Sequence, residues 1–278
     1  MTIESTQIRQ ESSDGSPFLN RNIKLILAYD GTDFAGWQVQ PGLPTVQGSL
    51  LQAIARVTRE EVILHGSGRT DAGVHALAQV ASFAALSPIP AANLVFALND
   101  TLPLSIRVLS AEEVAEDFHP RKAAKAKTYR YRICRGSICS PFVTRFVYHH
   151  PWPLDENAMK NAASSVLGEC DFTSLAAVDP DRLRRISQAE AGDEEAPSNV
   201  RTIFDSTFRR EGEELVYEVR GSGFLHHMVR NLVGIFLLVG KGTISAGDIE
   251  QILAAKNRSA NPGATAPASG LVLVNVEY

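Results

Sequence analysis

The segment His65–Phe83 reads HGSGRTDAGVHALAQVASF. Gly66, Gly68 and Gly73 surround Arg69, Asp71 and His75, so the backbone here must turn sharply or approach another surface closely. Beyond the loop, AQVASFAAL reads as a strand running away from it. Three readings compete: a phosphate cradle, a catalytic loop, or a tight turn. A P-loop needs a Gly-Lys-Ser/Thr ending, and no lysine stands in GSGRTDAG. A dinucleotide fingerprint fails at its third glycine, where Asp71 stands. Taken alone, Asp71 is an Asx-turn residue capping local amides. The company of Arg69 and His75 points instead to chemistry.

Working outward, IKLILAYDG alternates Ile23, Leu25, Leu27 and Tyr29 as a strand does. The loop DGTDFAGWQVQPGLPT follows, and Thr45 then caps a helix whose Leu50, Leu51, Ile54 and Val57 recur at helical spacing. A second helix is predicted over Ala91–Leu98. TYRYRI reads as a strand with Tyr129, Tyr131 and Ile133 on one face and Arg130 and Arg132 on the other. After Pro151 and Pro153, Asp155 caps a helix carrying Ala158, Met159, Ala162 and Val166, with Gly168 as its stop. Asp179–Ser198 is aperiodic and acidic, a surface loop or insertion. ELVYEVRGSGF is a strand, LHHMVRNLVGIFLLVG a buried helix, Ile249–Ala255 a short helix, and GLVLVNVEY a closing strand. The order is too irregular for βαβ units, so the expectation is α+β with two domains. The division is a disordered tail over 1–21, an N-terminal domain over 22–118 and a C-terminal domain over 119–278.

Hydrophobic residues make up 44% and charged residues 21% of the 278, the balance of a soluble enzyme. Cys134, Cys139 and Cys170 form no C-x-x-C pair, which fits a reducing cytoplasm. No signal peptide is legible, and the most apolar run, Leu232–Gly240, is too short to cross a bilayer. The formal charge of −4 conceals a sorted distribution. Arg121, Lys122, Lys125, Lys127, Arg130, Arg132 and Arg135 occupy one stretch with no acid between them. Such a stretch either steers a polyanion to one face or solvates a strand edge.

The motifs also carry a family resemblance. GSGRTDAGVHALAQVASF resembles the signature of the tRNA pseudouridine synthase A (TruA) family. YDGTDFAGWQVQ with TVQGSL, LNDTLPLSIRV, DFHPRKAAKAKTYRYRI, LGECDFTSL, GSGFLHHMVRNLVG and SGLVLVNVEY are similar to further family segments, in family order. Together they span Ile23–Tyr278; the tail and the acidic loop depart from the pattern.

The resemblance implies two similar α/β domains with mainly antiparallel sheets, helices packed on them, and an active-site cleft between. It implies isomerisation of uridine to pseudouridine at positions 38, 39 and 40 of the tRNA anticodon stem-loop, by a cytoplasmic homodimer. Nothing is oxidised or added in that reaction, so no redox cofactor is required. Asp71 matches the family nucleophile, and a carboxylate suits covalent capture of one fragment while the other turns. Burial under a base would favour its protonated form, so a guanidinium must stand close; Arg230 is the candidate. Arg69 fits the gap left by an extruded base. Tyr129 matches the tyrosine that packs on that base, and Leu271 a residue packing nearby. Arg121, Lys122, Lys125 and Lys127 are the candidate phosphate contacts. Adjacent His226 and His227 are expected to diverge, and without a third ligand at a fitting spacing no metal is assigned. His75 and His119 are given structural or RNA-contact roles. The rival readings are a tRNA-binding or chaperone protein that kept the fold and lost catalysis, and a nucleotide-dependent enzyme using the glycine loop.

Overall fold

The computed structural model describes residues 21–178 and 198–278. Most of the predicted tail and nearly all of the acidic loop lie outside these. Arg21 opens the first strand, β1 (Arg21–Tyr29), which buries Ile23, Leu25, Leu27 and Tyr29 in the alternation expected of it. Thr45 caps α1 (Val46–Thr58), its hydroxyl accepting from the amide of Gly48. Next come β2 (His65–Gly66), β3 (His75–Ala85), α2 (Ala91–Thr101) and β4 (Ile106–Val114). The second half contributes β5 (Ala126–Cys134), β6 (Tyr148–His149), α3 (Glu156–Ala163), β7 (Gly168–Asp171), β8 (Val200–Glu211) and β9 (Glu214–Gly221). Two helices, α4 (Met228–Gly240) and α5 (Ala246–Ala254), precede β10 (Leu271–Glu277).

The architecture is α+β, with one sheet running through both halves in the order β4-β1-β3-β10-β5-β9-β8-β7. Along this path every pairing is antiparallel except β10 with β3. The last strand therefore stands between the two halves, holding β3 on one edge and β5 on the other. Helix α4 is enclosed on nearly all sides, as its uninterrupted apolar sequence requires. Side chains from α1, α2, α3 and α4 join the inward residues of the sheet in one contiguous core. Among the described residues, no helix is long and apolar enough to cross a membrane.

Three elements depart from the sequence-based expectation. Helix α3 stops at Ala163 and tightens into a 3-10 turn over Ser164–Val166, while Gly168 (φ +90°) opens β7. Strand β8 shows no clear period in the sequence because a bulge between Ile203 and Asp205 interrupts its alternation. Strand β4, at the edge of the sheet order, buries only Ile106 and Val108, too few for a clear period.

Candidate active site

The loop between β2 and β3 is built by inward polar anchors. Ser67 Oγ donates to Gln79 Oε1 at 2.6 Å, Gln79 Nε2 donates to the Gly68 carbonyl at 3.0 Å, and Thr70 Oγ1 pairs with the Tyr29 hydroxyl at 2.9 Å. Ser67, Thr70 and Gln79 are buried, whereas Arg69 between them is exposed. Buried polar groups with this many partners rigidify what they hold. A second loop braces the first from outside: Trp37 N–H donates to the Thr70 carbonyl at 3.0 Å. Close approach explains two glycines there. A Cβ on Gly31 would stand 2.0 Å from the Val74 carbonyl oxygen, and one on Gly36 (φ +96°) 2.7 Å from the Thr70 carbonyl oxygen. Gly73 adopts φ +77° to turn the chain from Asp71 into β3.

This scaffold leaves Asp71 in a partly enclosed hollow, its side chain 17% exposed. Arg230, on the first turn of α4, donates from Nη1 to Asp71 Oδ2 at 3.0 Å and from Nε to the Ala266 carbonyl at 2.7 Å. The second bond fixes the guanidinium plane, so the first is directional as well as electrostatic. Among the described residues Oδ1 accepts no hydrogen bond; His226 Nε2 stands 3.6 Å from it. His227 Nε2 stands 3.5 Å from Oδ2. The expectation that adjacent histidines diverge fails here. His227 takes a left-handed conformation (φ +60°), which brings both rings to one carboxylate with centroids 4.0 Å apart. Burial holds the His227 imidazole below its ordinary range; Asp71 opposes this, while His226, Arg230 and Arg258 add to it.

Tyr129 on β5 is 8% exposed and meets Phe224 edge-on at 5.1 Å. Burial, with the charges of Tyr29 and Asp71, pushes its phenol far above the usual range and keeps it neutral. Tyr131, on the same face, donates to the Pro267 carbonyl at 2.8 Å and packs against Gly270, a core role. Leu271 is buried at the start of β10 opposite Tyr131, beside the point where β10 joins β3 at His75. Arg69 Nε donates to Gln38 Oε1 at 3.2 Å. His75 is a brace: its Nδ1 accepts from the Gly31 amide at 3.0 Å. His119 Nδ1 accepts from the Arg121 amide at 3.1 Å, and its ring lies 4.8 Å from that of His65.

The basic stretch divides in two. Arg130 and Arg132 are committed across the sheet to Glu218 (2.9 Å) and Glu214 (2.7 Å), and Arg135 to Glu156 (3.3 Å). Arg121, Lys122 and Lys125 are exposed. Lys127 is half-buried, donating to the Ser67 carbonyl at 2.6 Å. Its ammonium is pushed down to about 8 by burial, then by the charges of Arg121 and Arg201. Arg201, which no motif in the sequence marks, thus completes a cluster of three cations beside the Gly68 turn. Phe224, His226 and His227 are the other site residues the sequence left unassigned. They follow the GSG of β9's end, which signalled a turn but not its direction.

The family model described as tRNA pseudouridine synthase matches residues 25–121 and 162–278. A protein of Solibacter usitatus named tRNA pseudouridine synthase A is 53% identical over 258 residues, covering 93% of this chain and 100% of the relative. One of the same name from Limosilactobacillus fermentum is 43% identical over 260 residues, covering 92% and 95%. A solved chain from a Cbf5–Nop10–Gar1 complex overlaps 85% of this chain and 51% of its own length, with a TM-score of 0.32 and 13% identity. With the family match extending over most of both halves, and with the Asp71 loop and α4 inside it, this chain belongs to the tRNA pseudouridine synthase family.

Proposed function

We infer that this chain isomerises uridine to pseudouridine in tRNA, with positions 38, 39 and 40 of the anticodon stem-loop as its targets. One observation carries the reading: Asp71 presents a carboxylate with Oδ2 held by Arg230 at 3.0 Å and Oδ1 accepting no hydrogen bond among the described residues. The reaction breaks the N1–C1′ bond and joins C5 to C1′; the C5 proton is lost and N1 gains one. The atoms balance without any added group. Asp71 Oδ1 is the nucleophile, and Arg230 orients the carboxylate through Oδ2.

Arg69, exposed at the rim, occupies the gap left by the extruded uridine. Tyr129 and Leu271 pack on the base, and Tyr129 enters as a neutral phenol. Arg121, Lys122, Lys125 and Lys127, joined by Arg201, receive backbone phosphates. The working form is a cytoplasmic homodimer that grips one tRNA with both subunits.

Tritium release from C5-labelled tRNA tests the reading, together with mapping of the product pseudouridines. Wild type releases label at positions 38, 39 and 40, and Asp71→Asn releases none. Full activity in that variant removes Asp71 as the nucleophile. Tight tRNA binding without any release in wild type points to the inactive binding protein instead.

A further inference from the structure

His226 and His227 are not used by the reaction as assigned, yet both are aimed at its nucleophile. Their Nε2 atoms and the Asp71 carboxylate lie within 4.8 Å of one another. The two Asp71–histidine separations are 3.6 and 3.5 Å. A tetrahedral zinc ion with bonds of about 2.0–2.1 Å spaces its ligand atoms roughly 3.4 Å apart. The two separations end on different oxygens, Oδ1 for His226 and Oδ2 for His227, so the carboxylate binds through both oxygens or turns slightly for the three groups to share one ion.

A second, independent observation comes from the far side of the His226 ring. Its Nδ1 lies 2.9 Å from the Val178 carbonyl oxygen. A carbonyl only accepts, so Nδ1 carries the proton. The other ring nitrogen, Nε2, is the one that faces Asp71, 3.6 Å from Oδ1. An outer hydrogen bond of this kind fixes the tautomer of metal-bound imidazoles.

We propose that Asp71, His226 and His227 form a reversible binding site for a divalent cation of the zinc class, and that the ion competes with RNA by occupying the nucleophile. The fourth coordination position faces the hollow. Arg230 competes for Asp71 Oδ2, so the ion is held loosely rather than as a resident cofactor. Imidazole ligands select zinc and cobalt over magnesium, which prefers oxygen. The inhibitory half rests on Asp71 being the nucleophile; the binding half does not.

The test uses the full chain, with cobalt(II) absorption as a reporter of tetrahedral geometry and zinc titration calorimetry for stoichiometry. One equivalent is expected. His226→Gln, His227→Gln and Asp71→Asn each weaken it at least tenfold, and millimolar magnesium does not displace it. His65→Gln, at the other histidine pair, leaves the affinity unchanged. Anticodon stem-loop RNA raises the apparent dissociation constant, and zinc slows tritium release. Melting curves identify the folded variants, and Asp71→Asn reads the same site should a histidine variant not fold. Absence of one-equivalent binding, or unchanged affinity in the folded variants, overturns the site. Binding that depends on all three residues without slowing tritium release keeps the site and overturns the inhibition.

Discussion

Raising the pH from 7 to 10 is expected to stabilise the protein relative to a Lys127→Met variant and, over the same range, to loosen its hold on RNA. The ammonium of Lys127 is enclosed between β5 and the Ser67–Gly68 turn and is pushed from 10.5 to about 8, first by burial and then by Arg121 and Arg201. The folded protein thus holds this proton less firmly than the unfolded chain. Below pH 8 both states are protonated and the full cost of the enclosed charge is present. Between about pH 8 and 10.5 the unfolded chain binds more protons, so stability rises with pH. The gap between 10.5 and about 8 sets a ceiling of ~3 kcal/mol on that rise. Residual solvent contact reduces the expected gain to roughly 1–2 kcal/mol. Methionine also removes the hydrogen bond to the Ser67 carbonyl, but that loss is nearly the same at every pH and drops out of the trend. Urea unfolding of both proteins at pH 7, 8, 9 and 10, at constant ionic strength, gives the difference directly. A difference that is flat within ~0.5 kcal/mol, or that falls with pH, refutes the enclosure of this charge. A phosphate placed in the cluster restores the proton, so RNA binding takes one up above pH 8. Wild-type affinity should then fall by up to about tenfold per pH unit above 8, with little change in Lys127→Met. Parallel weakening of the two proteins refutes the phosphate contact.

Arg230→Met leaves Asp71 without its guanidinium and is expected to lower kcat by roughly 100-fold, equivalent to about 3 kcal/mol, with a far smaller change in RNA binding; single-turnover tritium release checks it. Arg121→Ala should reduce the salt slope of tRNA binding by roughly 0.7–0.9, whereas Arg130→Ala, already committed to Glu218, should leave it unchanged. Gly31→Ala forces a Cβ to within 2.0 Å of the Val74 carbonyl oxygen and is expected to cost about 3 kcal/mol or more, read as a lower melting temperature. An unchanged melt would mean that the bracing loop does not lie against the Asp71 turn.

What the sequence discloses is what is decided locally. The alternation of β1, the caps at Thr45 and Asp155 and the apolar envelope of α4 each depend on residues a few positions apart, and each is found as expected. Arg230 was also legible, since a charge on an otherwise apolar helix needs a partner, and Asp71 is there. What stayed hidden depends on distant or conformational facts. Arg130 and Arg132 look like free cations until Glu218 and Glu214 are brought across the sheet from β9. Lys127 looks like an exposed lysine until the Ser67 turn folds over it. The convergence of His226 and His227 hangs on one positive φ angle, which a histidine rarely adopts and which no pattern of residue types announces.

The position of β10 has a consequence for assembly. It is synthesised after every other described element, yet it is the strand through which β3 and β5 meet. Until it arrives, the strand following Asp71 and the strand carrying Tyr129 each leave part of an edge unpaired, at His75–Ala76 and over Ala126–Tyr131, open to wrong partners. The pairings that close them join the most distant parts of the chain, the kind that form slowly. The emerging protein therefore carries Asp71 and Tyr129 long before a common strand fixes the distance between them. Weakening β10, or its Arg220–Glu277 clasp at 2.6 Å, would show first in the yield of folded protein rather than in the chemistry of the molecules that fold.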